Sequence, residues 1–230
     1  LLIPQLILSG VVVKFDKLNP IIGNTATVPF VGDMMASRWA FEASMVAQYK
    51  DNAFEKEFYL YDKMMSESDY KKIYFIPELE SKLDFINLHH ANPDSAIQEE
   101  VSKALLLVKN EISKELGEVG QDNFSSINDL TLEKFDSMVY RKTVEFIDKL
   151  EKYYIKRYNQ ADQLKDKKIG EMTRTAEKEK DFELFRSSYQ NEAISELVKN
   201  TSETHRIIEK NGKFVQKIYP IYKDPDPDHM

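Results

Sequence analysis

Residues 92–120, NPDSAIQEEVSKALLLVKNEISKELGEVG, decide the fold class. Asn92-Pro93-Asp94 is a helix-start signal, because proline is tolerated where a helix begins and aspartate can cap it. Ile97, Val101, Ala104, Val108, Ile112 and Leu116 then recur at steps of three and four, which places them on one face of a helix. Gly117 and Gly120 are the expected stop.

The same grammar reads outward in both directions. Upstream, Asp33 is expected to cap a helix running through Met35, Trp39, Met45, Val46 and Tyr49. Asn52 with Glu55 three positions on has the spacing of a capping box. Phe54, Phe58, Tyr61 and Met65 share one helical face. Ser68 is expected to start a further short helix, ended or bent at Pro77. Downstream, Thr131 is the expected cap of a long helix marked by Leu132, Phe135, Val139, Phe146, Leu150 and Tyr153, continuing toward Leu164, with Gly170 as a break. A last helix carries Phe182, Phe185, Tyr189 and Leu197. Asn211-Gly212 lies between residues 206–210 (RIIEK) and 213–217 (KFVQK) and predicts a tight β-hairpin. Pro220, Pro225 and Pro227 predict an extended tail. The expected fold is therefore mainly α, a helical bundle with a small β-hairpin near the C-terminus.

Composition narrows the function classes. The 230 residues carry a formal net charge of −7, so the overall field repels nucleic acid. A 42% apolar and 31% charged make-up suits a globular chain rather than a multi-span membrane protein. The absence of cysteine removes thiol nucleophiles, thiolate metal sites and disulfides together, and fits either side of a membrane.

Motifs for chemistry are sparse. None of His89, His90, His205 and His229 lies in a His-Glu-x-x-His pattern or one helical turn from another histidine. His89 and His90 read as the cationic end of a helix. Asp224, Asp226, Asp228 and His229 alternate with prolines and lack the glycine and distal glutamate of a Ca²⁺ loop, so they read as a stiff, solvated linker. Residues 117–120 (GEVG) lack the Lys-Ser/Thr of a phosphate loop. The acidic side chains are too numerous on helix faces to single out an acid/base pair. Asn123 and Asn200 each open an Asn-x-Ser/Thr sequon. Met34, Met35, Trp39, Met64 and Met65 are expected to be core, with a partner groove as the alternative that an exposed patch would favour.

Two stretches carry more. Residues 1–13 are almost wholly apolar, interrupted only by Pro4, Gln5, Ser9 and Gly10, and are too short for the roughly 20 residues of a full span. About twenty residues beyond the stretch 6–13 (LILSGVVV) come 28–33 (VPFVGD) and 36–43 (ASRWAFEA). The first resembles the outer end of the fifth membrane helix of ABCG-type ABC exporters. The second and third resemble that family's re-entrant segment, a proline followed by Ser-x-x-aromatic-small-aromatic-Glu-small. Forms with a long outer loop, found in ABC ATPase-permease fusions of Bacteroidetes, are especially similar. The resemblance covers about the first 50 residues. Beyond Asp51 the chain departs from it, because helical sequence replaces the usual short loop before the sixth span.

The resemblance implies two parts. Residues 1–50 would be the end of a membrane helix and a re-entrant, juxtamembrane segment; residues 51–230 would be an extracytoplasmic helical loop domain with an extended tail. Its implied role is non-catalytic support of ATP-driven export by gating or by docking a partner. Site residues carried over by the motif are Arg38, Trp39 and Glu42. Arg38 and Glu42, four apart, can pair on one helix face, and the glutamate would lie near the outer mouth of the path. ATP and Mg²⁺ would belong to an ATPase domain outside this segment, with no cofactor here. The implied partners are the rest of the permease, its ATPase domain and a periplasmic protein, in a dimer. The implied location is the inner membrane, attached at both ends and facing the periplasm. The same reading expects residues 1–13 to be poorly supported and the two chain ends to lie on one side. The competing readings are a free-standing soluble helical protein-interaction domain and a hydrolase with a carboxylate site.

Overall fold

The computed structural model describes residues 34–223. Residues 1–33 and 224–230 lie outside the described residues, and with them the expectations for residues 1–13, Pro29, Asp33, Pro225, Pro227 and the tail group Asp224, Asp226, Asp228 and His229. The described chain is mainly helical with one two-stranded antiparallel hairpin near the C-terminus, as the sequence pattern predicts. It divides into two compact units. The first contains residues up to Leu60, then Lys167–Glu203 and the segment from Tyr219; the second contains Tyr61–Asp166 and Thr204–Ile218.

In the first unit, α1 (Ala36–Lys50) is followed after two residues by α2 (Ala53–Tyr70). Asn52 caps α2, its Oδ1 accepting from the Phe54 amide at 2.9 Å and the Glu55 amide at 3.4 Å. The phenyl rings of Phe54 and Phe58 meet Phe182 at 5.8 and 6.4 Å, and Phe54 also meets Phe185 at 5.6 Å. These partners sit on α6 (Ala176–Tyr189). A second cluster gathers Tyr49, Val198 and Tyr222, with Met45, Tyr59 and Ile194 against it. Val198 belongs to α7 (Glu192–Lys199), capped by Asn191. The single expected last helix is thus two, split at Gln190–Asn191, because the Asn191 side chain turns to bond the Ile194 amide at 3.1 Å. Pro220 begins a 3₁₀ turn, Pro220–Tyr222, instead of extended chain, and Tyr222 is buried by it.

In the second unit the helix that begins at Ala53 runs on through a π turn, Lys71–Phe75, into α3 (Ile76–His89). Ser68 therefore starts nothing: it lies inside the helix with Oγ donating to the Met64 carbonyl at 2.7 Å. The Ile76 amide reaches back five residues to the Lys71 carbonyl. That wider turn comes just ahead of Pro77, whose ring would otherwise crowd the carbonyl four residues back.

Helix α4 (Ser95–Val119) has Asp94 as its cap and Gly120 as its stop, at φ 101°, a conformation that favours glycine. It packs on α3, with Leu79, Leu83 and Ile86 facing Val101, Val108, Ile112 and Leu116 in the core. α5 (Ser137–Met172) starts later than expected. Asp136, not Thr131, is the cap, its Oδ1 accepting from the Met138 and Val139 amides at 2.9 and 2.8 Å. The Thr131 carbonyl instead closes a turn onto the Phe135 amide at 2.9 Å, which buries Leu130 and Phe135. Gly170 stays helical; the break comes at Thr173–Thr175, where Thr175 caps α6.

The hairpin pairs β1 (Ile207–Lys210) with β2 (Lys213–Gln216) in the register Lys210↔Lys213 and Glu209↔Phe214. Asn211 and Gly212 take φ of 52° and 68°, the two positive values that a type I′ turn requires.

Candidate functional site

Arg38, Trp39 and Glu42 lie together on α1, where the spacing places them. The Arg38 Nε is 3.1 Å from the Glu42 Oε1, and the Arg38 guanidinium sits 4.5 Å from the centre of the Trp39 ring. Arg38 is buried and Glu42 half-exposed. This is an ordered cation held between a carboxylate and an indole face.

Much of the rest of α1 is exposed, with Phe41 and Met45 half-buried. Its 15 residues bury only Arg38 and Tyr49. Trp39 is 54% exposed and Val46 42%, and Ala36, Ala40, Ala43 and Ala47 follow the same side at steps of three and four. The expectation that Met34 and Trp39 are core is therefore overturned. Of that group, Met35, Met64 and Met65 are half-buried. α1 lies against α7 of the same unit through its C-terminal part, at Met45 and Tyr49.

A second constellation, in the other unit, escaped the sequence pattern. Glu111 and Glu115 are one turn apart on the core face of α4, 4% and 1% exposed. The Glu115 carboxylate accepts from Lys71 Nζ, in the π turn, and from the Tyr154 hydroxyl of α5. Lys71 also stacks 3.8 Å from the centre of the Phe75 ring. Glu111 accepts from the backbone amide of Phe214, in β2, at 2.7 Å. Burial pushes the Glu111 carboxyl above its ordinary range, against the pull of the Phe214 amide, Lys114 and Lys71. Burial, then the charge of Glu115, holds the Tyr154 phenol far above its usual value; burial, then Glu111 and Glu115, does the same to Tyr70. Both tyrosines are thus neutral at any ordinary pH, and Tyr154 is the one shown donating to the pair.

The signal that could have found this pair is its register. Positions 104, 108, 111 and 115 continue one helical stripe, so Glu111 and Glu115 stand where the pattern calls for apolar residues. What they form is a buried polar junction among α4, α5, the π turn and the hairpin.

The remaining candidates are plain. His89 lies in the last turn of α3, and His90 is its C-cap, as expected. The Gln98 side-chain amide donates to the His90 and Asn92 carbonyls at 3.0 and 2.6 Å. A shallow depression of about 510 Å³ is lined by Glu183, Arg186, Ser187, Gln190, Asn191 and Glu192. Its polar groups serve each other: Arg186 lies 3.8 Å from Glu183 and donates to Gln190 at 2.9 Å. Among the described residues, no group of three or more His, Asp or Glu side chains could hold a metal ion.

No family model matches the chain, and neither a curated protein nor a solved structure matches it.

Proposed function

We propose that this chain is an extracytoplasmic, non-catalytic loop domain of an ABC exporter permease, attached between the last two membrane helices, that supports ATP-driven export by gating release or docking a periplasmic partner. The ATPase domain, with its ATP and Mg²⁺, belongs to another part of the protein, and the permease works as a dimer. The observation that carries this reading is the uncovered apolar side of α1. Of its 15 residues α1 buries only Arg38 and Tyr49, and Trp39 and Val46 keep 54% and 42% of their surface exposed beside four alanines, a broad apolar side for a helix in water. The body of a permease, meeting α1 on that side, supplies the missing cover. The Arg38–Glu42 pair, both members on α1, holds the Glu42 carboxylate at the edge of the apolar side, where on this reading it shapes the outer mouth of the path.

A second feature agrees. The first and last described segments belong to one unit, and the Tyr49 and Tyr222 hydroxyls are bonded at 2.6 Å. A loop whose ends return to one membrane needs its entry and exit tied in this way. Among the described residues no helix is long and apolar enough to cross a membrane.

The chain has no cysteine, so single cysteines report cleanly. In a cysteine-free version of the full-length protein, Ser125→Cys is expected to react with an impermeant maleimide added outside spheroplasts. Val46→Cys is expected to react quickly in the isolated chain and to be shielded in the full-length protein. Labelling of Ser125→Cys only after lysis would refute the topology, and equal reactivity of Val46→Cys in both settings would refute the cover on α1.

A further inference from the structure

The β-hairpin is fastened to α4 by few bonds, and one of them is a buried carboxyl group. Lys210 and Lys213 flank a two-residue turn, so they form the hydrogen-bonded pair nearest to it, and Glu209 and Phe214 form the next, non-hydrogen-bonded pair. The Phe214 amide consequently points away from β1. It donates to Glu111 at 2.7 Å. Beside it the Asn110 side-chain amide donates to the Gly212 carbonyl at 3.0 Å, and the Phe214 ring packs edge-on against Phe75 at 5.9 Å. At the other strand, Lys82 pairs with Glu209.

Glu111 shares its surroundings with a second buried carboxylate, Glu115, and Lys71 is bonded to Glu115. Two carboxyl groups therefore face one bonded lysine, and a pair of buried negative charges beside one positive charge favours taking up a proton. The charged groups acting on Glu111 are Lys114 and Glu115 from its own helix and Lys71 from the π turn. Tyr154, from α5, donates to Glu115, and Tyr70, from α2, stands near both carboxyl groups, each as a neutral phenol.

We propose that the hairpin is a proton-operated latch, seated on α4 while Glu111 is protonated and loosened when Glu111 ionises. A protonated Glu111 still offers its carbonyl oxygen to the Phe214 amide and needs no hydration of charge. An ionised Glu111 bonds that amide more strongly but must give up water to stay buried, and burial is the larger of the two effects. Leaving the seat hydrates the carboxylate. The sign follows from proton counting. The seated state holds its proton to higher pH than the open state, whose carboxyl has the ordinary value of 4.5. Seating is strongest below that ordinary value and weakens as pH rises toward the raised one; above it the dependence is flat. This inference concerns the hairpin alone and does not rest on the permease reading.

Amide hydrogen exchange of the whole chain, followed by NMR from pH 5 to 8 and divided by the intrinsic rate at each pH, tests it. Protection of the Phe214 amide is expected to fall by up to about tenfold per pH unit across the titration of Glu111, the slope of one proton. Protection of the Ile112 amide, in the core of α4, stays flat. Glu111→Gln keeps an acceptor without the charge, so it retains protection and loses the slope. Asn110→Ala lowers protection several-fold and keeps the slope. The ¹³C shift of the Glu111 carboxyl in the unsubstituted chain gives a check that needs no variant: its midpoint lies above 4.5 and coincides with the Phe214 slope. Flat protection at Phe214, an equal slope at Ile112, a slope that survives Glu111→Gln, or a carboxyl midpoint at or below the ordinary value would each overturn the latch.

Discussion

The two units bury different chemistry. Among the described residues, the first buries rings, Tyr49, Phe54, Phe58, Phe182 and Tyr222, with Val198 the one aliphatic residue beside them. The second buries rings too, Phe75, Phe146 and Tyr154 among them, but adds a set of aliphatic side chains, Leu79, Leu83, Ile86, Val101, Val108, Ile112, Leu116 and Ile147, all at 1% exposure or less, around two buried carboxyl groups. Rings cover much area per residue, so a few can close a core made of short, separate segments. Close-packed aliphatic stripes need long helices in fixed register, and a buried charge network penalises any slip of that register. The contrast teaches where tolerance lies: the second unit has one internal arrangement to defend, whereas the first leaves a whole helix, α1, mostly open.

The largest expected effect therefore belongs to the second unit. Glu115→Ala strands the Lys71 ammonium and the Tyr154 hydroxyl together, and removing one partner of a buried ionic network is costly. Because Lys71 retains some access to water, the expected loss is about 3 kcal/mol, at the lower end for such pairs. Urea denaturation followed by circular dichroism at 222 nm measures it. A loss no larger than that of an exposed substitution would erase the contrast between the units.

A smaller effect is expected from the aromatic unit. Tyr222→Phe removes the hydroxyl bonded to Tyr49 and leaves the ring contact at 6.3 Å in place. The expected loss is about 1 kcal/mol, the value of one buried hydrogen bond. Tyr49→Phe and the double variant complete a cycle. A double variant that is no less stable than either single one would show that the hydroxyls matter only as a pair, and additive losses would show that they do not interact.

These differences also mark what the sequence could reveal. Asn52, Asp94 and Asn211-Gly212 were legible because caps and tight turns are decided within four or five residues. Thr131 misled for the same reason: it is a good local cap, but burial of Leu130 and Phe135 turns the chain there, and Asp136 takes over the start of α5. Pro77 read as a break because a π turn ahead of it leaves no local trace. Arg38 and Glu42 were legible as a pair through their spacing. That much of α1 would stay exposed was not, since nothing in residues 36–50 says which neighbours pack on it. Glu111 and Glu115 were hidden among many glutamates on helix faces; only the register of the α4 stripe distinguishes them, and their donors come from positions 71, 154 and 214.

The smallest stability effect is expected where the permease reading places the most function. Trp39→Ser removes a large side chain that is 54% exposed and meets the Arg38 guanidinium at 4.5 Å. Exposed substitutions away from caps and cores move stability by about 0.5 kcal/mol or less, so the isolated chain is expected to unfold at an unchanged urea midpoint. If the permease reading holds, the same substitution in the full-length protein takes the bulkiest group out of the proposed contact, and export is expected to fall while the amount of folded protein holds. If Trp39→Ser instead destabilised the isolated chain as much as Tyr222→Phe does, α1 would be part of the first unit's own core. Its open side would then need no partner, and the observation on which the permease reading rests would be gone.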